Sequence, residues 1–329
     1  MKSIRALIAA LALACSVFAQ DKPSLANKRV TFLGDSITAQ GWSNTHGYVR
    51  LVVTGFEVNG MKIDPVPAGI GGHKSDDMLA RLKRDVLDTK PDWVTISCGM
   101  NDVIHGQKGI PLEQYKTNLT SIVTQCRAAG IQVMLFTTTT AGKWDSPQSQ
   151  QLGEYSEFIR DLAKRKQCLL ADLYRVFVEN SQTADTLHGL TGDGVHMTPE
   201  GNMLIARTVL ESFGLNEEQL AKAHETWLDL PDAGTLGTRA DVELNKKFFT
   251  ATCPLTLRQR ERILTVAAAA KRPTLGHWSK ELLLSLMKRK VKPTGPFESL
   301  DALFAPESKE KVQRELQAEF VAEVQRLIR

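Results

Sequence analysis

An open α/β fold with a parallel sheet is predicted by three features of the chain. Short apolar runs alternate with longer segments of helical periodicity from about residue 28 to residue 213. Alternation of that kind implies right-handed βαβ units and a sheet covered on both faces. The run Val30–Leu33 is stopped by Gly34, the mark of a buried strand. Residues that can do chemistry follow the ends of several runs, where open α/β sheets hold their sites.

The elements follow in order. Strands are expected at Val30–Leu33, Met61–Val66, Trp93–Cys98, Ile131–Thr137 and Cys168–Ala171. Helices are expected between them at Tyr48–Phe56, Ser75–Leu87, Leu112–Ala129 and Gln148–Lys166. Gly130 is suited to end the helix before it. A last helix runs from Pro199 to about Phe213, with proline in its first turn. The result is a doubly wound, flavodoxin-like sheet of five parallel strands with helices on both faces.

After Gly214 strand-like runs give way to helical ones. Candidates are Glu217–Leu228, Arg239–Thr250, Leu257–Lys271, Lys280–Lys290 and Ser308–Ile328, separated by prolines such as Pro231, Pro254 and Pro273. Leu282, Leu283, Leu286 and Met287 form one apolar stripe; Phe320, Val324 and Leu327 form another. An all-α extension over residues 216–329 is therefore expected behind a block at residues 20–215. Ten Lys/Arg against two Glu between Arg258 and Lys292 read as a solvated basic face, with an anion-binding surface as the sharper alternative.

With 329 residues, 42% hydrophobic and 24% charged, the chain can bury a substantial core and is not a disordered type. Residues 1–19 read as a signal peptide: Lys2 and Arg5, an apolar stretch from Ile4, and small residues ending at Ala19. Export to the periplasm or outside the cell is expected, with cleavage after Ala19. Cys15 stands in a weak version of a lipoprotein box, leaving lipid anchoring open. No later run reaches the ~18 apolar residues of a membrane helix. The formal charge of +4 falls to +2 without Lys2 and Arg5, which gives no reason to expect a nucleic-acid partner. Cys98, Cys126, Cys168 and Cys253 fit neither a metal site nor a disulfide framework and read as buried thiols.

Gly34-Asp35-Ser36 ends the first strand, and Asp193-Gly194-Val195-His196 precedes the Pro199 helix. A serine hydroxyl needs a base to take its proton, and the base needs a carboxylate to orient it. Gly69-Ile70-Gly71-Gly72 and Gly99-Met100-Asn101-Asp102 follow the second and third strands. A glycine N–H and an asparagine amide can stabilise an oxyanion. Taken singly, Asp35 reads as a helix cap and Asp193-Gly194 as a turn. In this order and at strand ends, these residues make residues 28–215 resemble the SGNH (GDSL-type) hydrolase family.

That resemblance implies Ser36 as nucleophile, His196 as base and Asp193 as its orienter. It implies an oxyanion hole of the Ser36 N–H, the Gly72 N–H and the Asn101 amide. The chain departs from the family pattern before Gly69, where Pro67-Ala68 stands in place of asparagine, and at His73, where aspartate is usual. His73, His105 and Asp35 are candidate substrate contacts; Trp42, His46 and Trp144 are candidate sugar-stacking side chains. The implied activity is a serine esterase needing no cofactor and no metal, acting on O-acetyl or other short-acyl esters of carbohydrates. Three alternatives stay open: a lysophospholipase-type lipid esterase, a metal-dependent hydrolase built on Asp35, Asp102, Asp193, His105 and His196, and a catalytically silent polysaccharide-binding module.

Overall fold

The computed structural model describes residues 25–183, 189–230, 235–242, 247–272, 275–290 and 306–329. The expected leader, its cleavage after Ala19 and Cys15 lie outside them. Strand β1 (Arg29–Gly34) leads into helices α1 (Ser36–Ser43) and α2 (Tyr48–Val58), then β2 (Asp64–Gly69). Helix α3 (Ser75–Leu82) runs on into a single π turn, Lys83–Leu87. There follow β3 (Trp93–Ser97), α4 (Met100–Ile104), α5 (Leu112–Ala128), β4 (Gln132–Phe136), α6 (Pro147–Lys166), β5 (Leu169–Ala171), α7 (Leu173–Thr183), α8 (Pro199–Ser212) and α9 (Glu217–Leu228).

The five strands pair in parallel in the order β2-β1-β3-β4-β5. Val30, Phe32 and Leu33 of β1, Val94 and Ile96 of β3 and Val133–Phe136 of β4 are buried. Strands covered on both faces need this near-continuous apolar character. Strand β2 starts three residues later than the Met61–Val66 run suggested. It includes Pro65 and Pro67, which an edge strand accommodates because one side of its ladder is unpaired. The chain leaves β1 toward β2 and returns past it to β3. The strand order therefore reverses between β1 and β3, opening a crevice at their C-terminal ends.

Helix α9 belongs by packing to this first core, although the sequence reading put it in the extension. Trp227 is 1% exposed and its indole N–H donates to the Leu51 carbonyl of α2 at 2.9 Å. Leu220, Ala223 and Leu228 are buried with it in the same cluster. Trp227→Ala should destabilise the fold by about 3–5 kcal/mol, the usual cost of emptying a large core site. Chemical denaturation measures this. A change under ~1 kcal/mol would show that α9 contributes little to the core.

Apart from Leu257, which is buried in the first cluster, the rest of the extension has its own core, and it is not all-α. Strands β6 (Thr235–Val242) and β7 (Lys247–Pro254) form an antiparallel hairpin where a helix at Arg239–Thr250 was expected. The reason is visible in β7: Phe249, Ala251 and Cys253 are buried while Thr250 and Thr252 are exposed, a period of two. Helices α10 (Leu257–Ala269), α11 (Leu275–Lys290) and α12 (Pro306–Leu327) complete it. Leu283, Leu286, Met287, Phe320 and Val324 are buried, with Leu282 and Leu327 packed at the edge. Several basic residues of the Arg258–Lys292 stretch make ion pairs. Arg258 holds Glu225 and Asp229 of the α9 end, and Arg260 holds Glu200 of α8 at 2.7 Å. These contacts dock the extension on the α/β block and account for part of the basic bias.

Among the described residues all four cysteines are free thiols, and no helix is long and apolar enough to cross a membrane. Burial pushes the Cys126 thiol up to about 12.

Candidate active site

Strand β1 delivers Asp35 and Ser36 into the crevice. The Asp35 carboxylate accepts the Ile37 N–H at 2.9 Å and caps α1. Ser36 is thereby held at the first position of a helix, where backbone N–H groups favour developing negative charge. Asp35 itself is 1% exposed, so it is not placed to touch substrate. Burial pushes its carboxyl up to about 6; nearby Asp102 adds to this, and the Ile37 N–H opposes it.

The partner of Ser36 comes from a compact loop. Gly192 N–H donates to the His196 carbonyl at 2.8 Å, Thr198 N–H to the Leu190 carbonyl at 3.0 Å, and Thr191 bridges Met197. Thr198 caps α8, and Pro199 opens it. Within this loop Asp193 Oδ1 accepts the N–H groups of Val195 (3.0 Å) and His196 (2.7 Å). Its Oδ2 meets His196 Nδ1 at 2.7 Å. His196 Nε2 lies 2.9 Å from Ser36 Oγ. A carboxylate only accepts, so Nδ1 carries the hydrogen and Nε2 is left to accept from the serine hydroxyl. The His196 bond and the two backbone N–H groups hold the Asp193 carboxyl well below the usual carboxylate range.

The loop after β2 passes Ser36. A Cβ placed on Gly71 would lie 3.8 Å from Ser36 Cβ. Gly72 follows with φ +78°, a left-handed conformation that favours glycine. Gly99, at φ +124°, turns the chain out of β3 into α4. That turn brings Asn101 to the same loop, where one amide N–H donates to the His73 carbonyl at 3.0 Å. A carboxamide has a second N–H, which this tether leaves for a ligand. Ser36, Asp193 and His196 are thus joined by hydrogen bonds. The Gly71-Gly72 turn runs beside Ser36, and Asn101 ties that turn to α4.

Other candidates fall elsewhere. His73 turns its ring to Arg81, whose Nε donates to Nδ1 at 3.1 Å. His105 stands exposed at the C-terminal cap of α4. Asp102 is buried and accepts the Ser75 N–H with both oxygens. Among the described residues no group of three or more His, Cys, Asp or Glu could hold a metal ion. The set Asp35, Asp102, Asp193, His105 and His196 is therefore not gathered into one cluster.

Arg81 is a site-building residue that the sequence did not single out. It is 6% exposed and donates to the Gly34 and Ala68 carbonyls, both at 2.8 Å. It ties together the ends of β1 and β2 just before Ser36 and the glycine turn. Its visible signal was an i,i+4 pairing with Asp85, which looks like an ordinary helix-surface ion pair.

Comparison with known proteins agrees with this architecture. Residues 32–204, just over half of the chain, match the model of the GDSL-like Lipase/Acylhydrolase family. An acetylxylan esterase of Geobacillus stearothermophilus is 28% identical over 207 residues, covering 57% of this chain and 94% of that protein. An uncharacterized lipoprotein of Bacillus subtilis, YqeF, is 26% identical, covering 56% of this chain and 90% of that one. The crystal structure of the acetylxylan esterase Axe2 from Geobacillus stearothermophilus superposes with a TM-score of 0.54 at 27% identity, covering 59% of this chain and 98% of that chain. Solved structures of Axe2 include catalytic mutants in which a serine, an aspartate or a histidine is replaced by alanine. The chain belongs to the GDSL-like lipase/acylhydrolase family and is a carboxylic ester hydrolase.

Proposed function

We propose that the protein is an exported carbohydrate esterase that removes acetyl or other short acyl groups through a serine acyl-enzyme. The observation that carries the mechanism is the unbroken relay from Asp193 through His196 to Ser36, with contacts of 2.7 and 2.9 Å. His196 takes the proton as Ser36 Oγ attacks the ester carbonyl. Negative charge on the carbonyl oxygen is met by the N–H groups of Ser36 and Gly72 and by the second Asn101 N–H. His196 returns the proton to the leaving alcohol. Water then attacks the acyl-enzyme by the same route and frees Ser36.

The carbohydrate reading is supported by acetylxylan esterases among both the sequence relatives and the solved structures. Export is supported by the charged and apolar N-terminal stretch and by the lipoprotein relative. The test is an ester panel: acetylated xylo-oligosaccharide against simple alkyl esters of increasing acyl length. Release of acetate from the oligosaccharide with falling rates beyond short acyl groups is expected. A rate that climbs with acyl length would point to a lipid esterase and overturn the substrate assignment.

Asn101→Ala should lower kcat by about 10²–10³ with little change in KM, because its bond to substrate is strongest in the transition state. The same change also removes the tether to His73. A variant within twofold of wild type would exclude Asn101 from the oxyanion hole.

A further inference from the structure

Of the five tryptophans, Trp93, Trp227 and Trp278 are buried. Trp42 is partly buried against the core, and the Arg50 guanidinium sits 3.8 Å from its ring centroid. His46, the other aromatic raised as a sugar contact, is 5% exposed. Trp144 differs: at 38% exposure it is the one exposed large hydrophobic side chain among the described residues. It lies on the turn between β4 and α6, far along the chain from the triad. That turn is nonetheless fastened to the catalytic loop, since Gly142 N–H donates to the Gly194 carbonyl at 2.7 Å. Gly194 stands between Asp193 and His196. Two residues of chain span at most about 7 Å, so the Trp144 and His196 backbones are within roughly 19 Å of each other.

The turn is also ordered before any ligand arrives. Ser149 Oγ accepts the Ala141 N–H at 3.0 Å and donates to the Lys143 carbonyl at 2.8 Å. Ser146 Oγ donates to the Ala141 carbonyl at 2.9 Å and caps α6. A platform fixed by these bonds loses little further freedom on binding. Its chemistry suits a pyranose. The indole face covers the apolar C–H face of a sugar ring, while the exposed Lys143 and Asp145 beside it offer partners for hydroxyls. An acyl chain would need a continuous apolar surface, and a single exposed ring does not supply one.

We infer that Trp144 is a specificity residue, a stacking platform for a sugar ring on the alcohol side of the scissile ester, a few residues along a bound oligosaccharide. The inference rests on the carbohydrate-esterase reading and adds to it the place where the sugar is held. The experiment compares the full chain with its Trp144→Ala and Trp144→Phe variants on two probes: acetylated xylo-oligosaccharide and ethyl acetate, the latter followed by acid release. Trp144→Ala should raise KM for the oligosaccharide about 5–20-fold with kcat nearly unchanged. Ethyl acetate turnover should stay within twofold, and Trp144→Phe should restore most of the lost affinity. Equal losses on both probes would mean that the turn acts only by holding the Gly194 loop, and would overturn the platform. Unchanged kinetics on both would overturn it as well. Wild type that hydrolyses ethyl acetate but ignores the oligosaccharide would sink the carbohydrate reading itself, and the platform with it, before any variant is compared.

Discussion

Replacing Ser36 by alanine is expected to lower kcat for ester hydrolysis by about 10⁴–10⁶ while leaving the fold intact. Ser36 occupies a helix N-terminus whose cap is the Asp35 side chain, and its own side chain bonds only to His196 among the described contacts. The variant therefore loses the attacking oxygen and little packing. Substrate affinity should change little, because only the attacking oxygen is removed. Steady-state kinetics measure the loss. A fluorophosphonate supplies the second readout: it should modify wild type at Ser36, seen by peptide mass spectrometry, and leave Ser36→Ala unlabelled. Substantial hydrolysis by the variant, or labelling at another residue, would remove Ser36 from the mechanism.

Asp193→Asn should cost about 10⁴ in kcat, and the loop geometry explains why a nearly isosteric change is so harmful. The Val195 and His196 N–H groups require an acceptor where Oδ1 now sits. An asparagine satisfies them only by turning its carbonyl oxygen there, which points its NH₂ at His196 Nδ1. Nδ1 must then accept, so the ring hydrogen moves to Nε2 and faces Ser36 Oγ. The imidazole is held in place but in the wrong tautomer to take a proton. Asp193→Ala also loses the loop bonds, so its protein should be less stable as well as slow. An asparagine variant within tenfold of wild type would contradict this account of the 2.7 Å contact.

The α/β sheet and the candidate site residues that the fold brings to its strand ends were legible in the sequence for one reason. The interior strands of a parallel sheet are unbroken apolar runs, and Ser36 and Asn101 follow two such runs within a few residues. Asp193 and His196 were legible as a local pair preceding a proline-opened helix. What was not legible depends on three-dimensional context. The side chain of Asp35 has the same chemistry whether it caps a helix or faces substrate; burial decides. Arg81 looks like any charged helix residue until β1 and β2 converge on it. Trp144 was one of three aromatic candidates, and what sets it apart from Trp42 and His46 is its exposure and the Gly142–Gly194 backbone bond beside it, which no side-chain pattern encodes. The β6–β7 hairpin was hidden because Phe248 and Phe249 are adjacent, blurring a period of two into a helix-like cluster.

Ser36 and His196, the proposed nucleophile and base, are 160 positions apart in the chain. During synthesis Ser36 emerges long before His196, and at about 5–20 residues per second the interval is roughly ten to thirty seconds. Through that time the serine has neither base nor oriented carboxylate, and its hydroxyl is as unreactive as any alcohol. On the proposed mechanism the nascent chain therefore cannot hydrolyse esters before residue 196 has been made. The relay is complete only once the segment around residue 196 has met the end of the first strand, the longest-range contact of the three side chains.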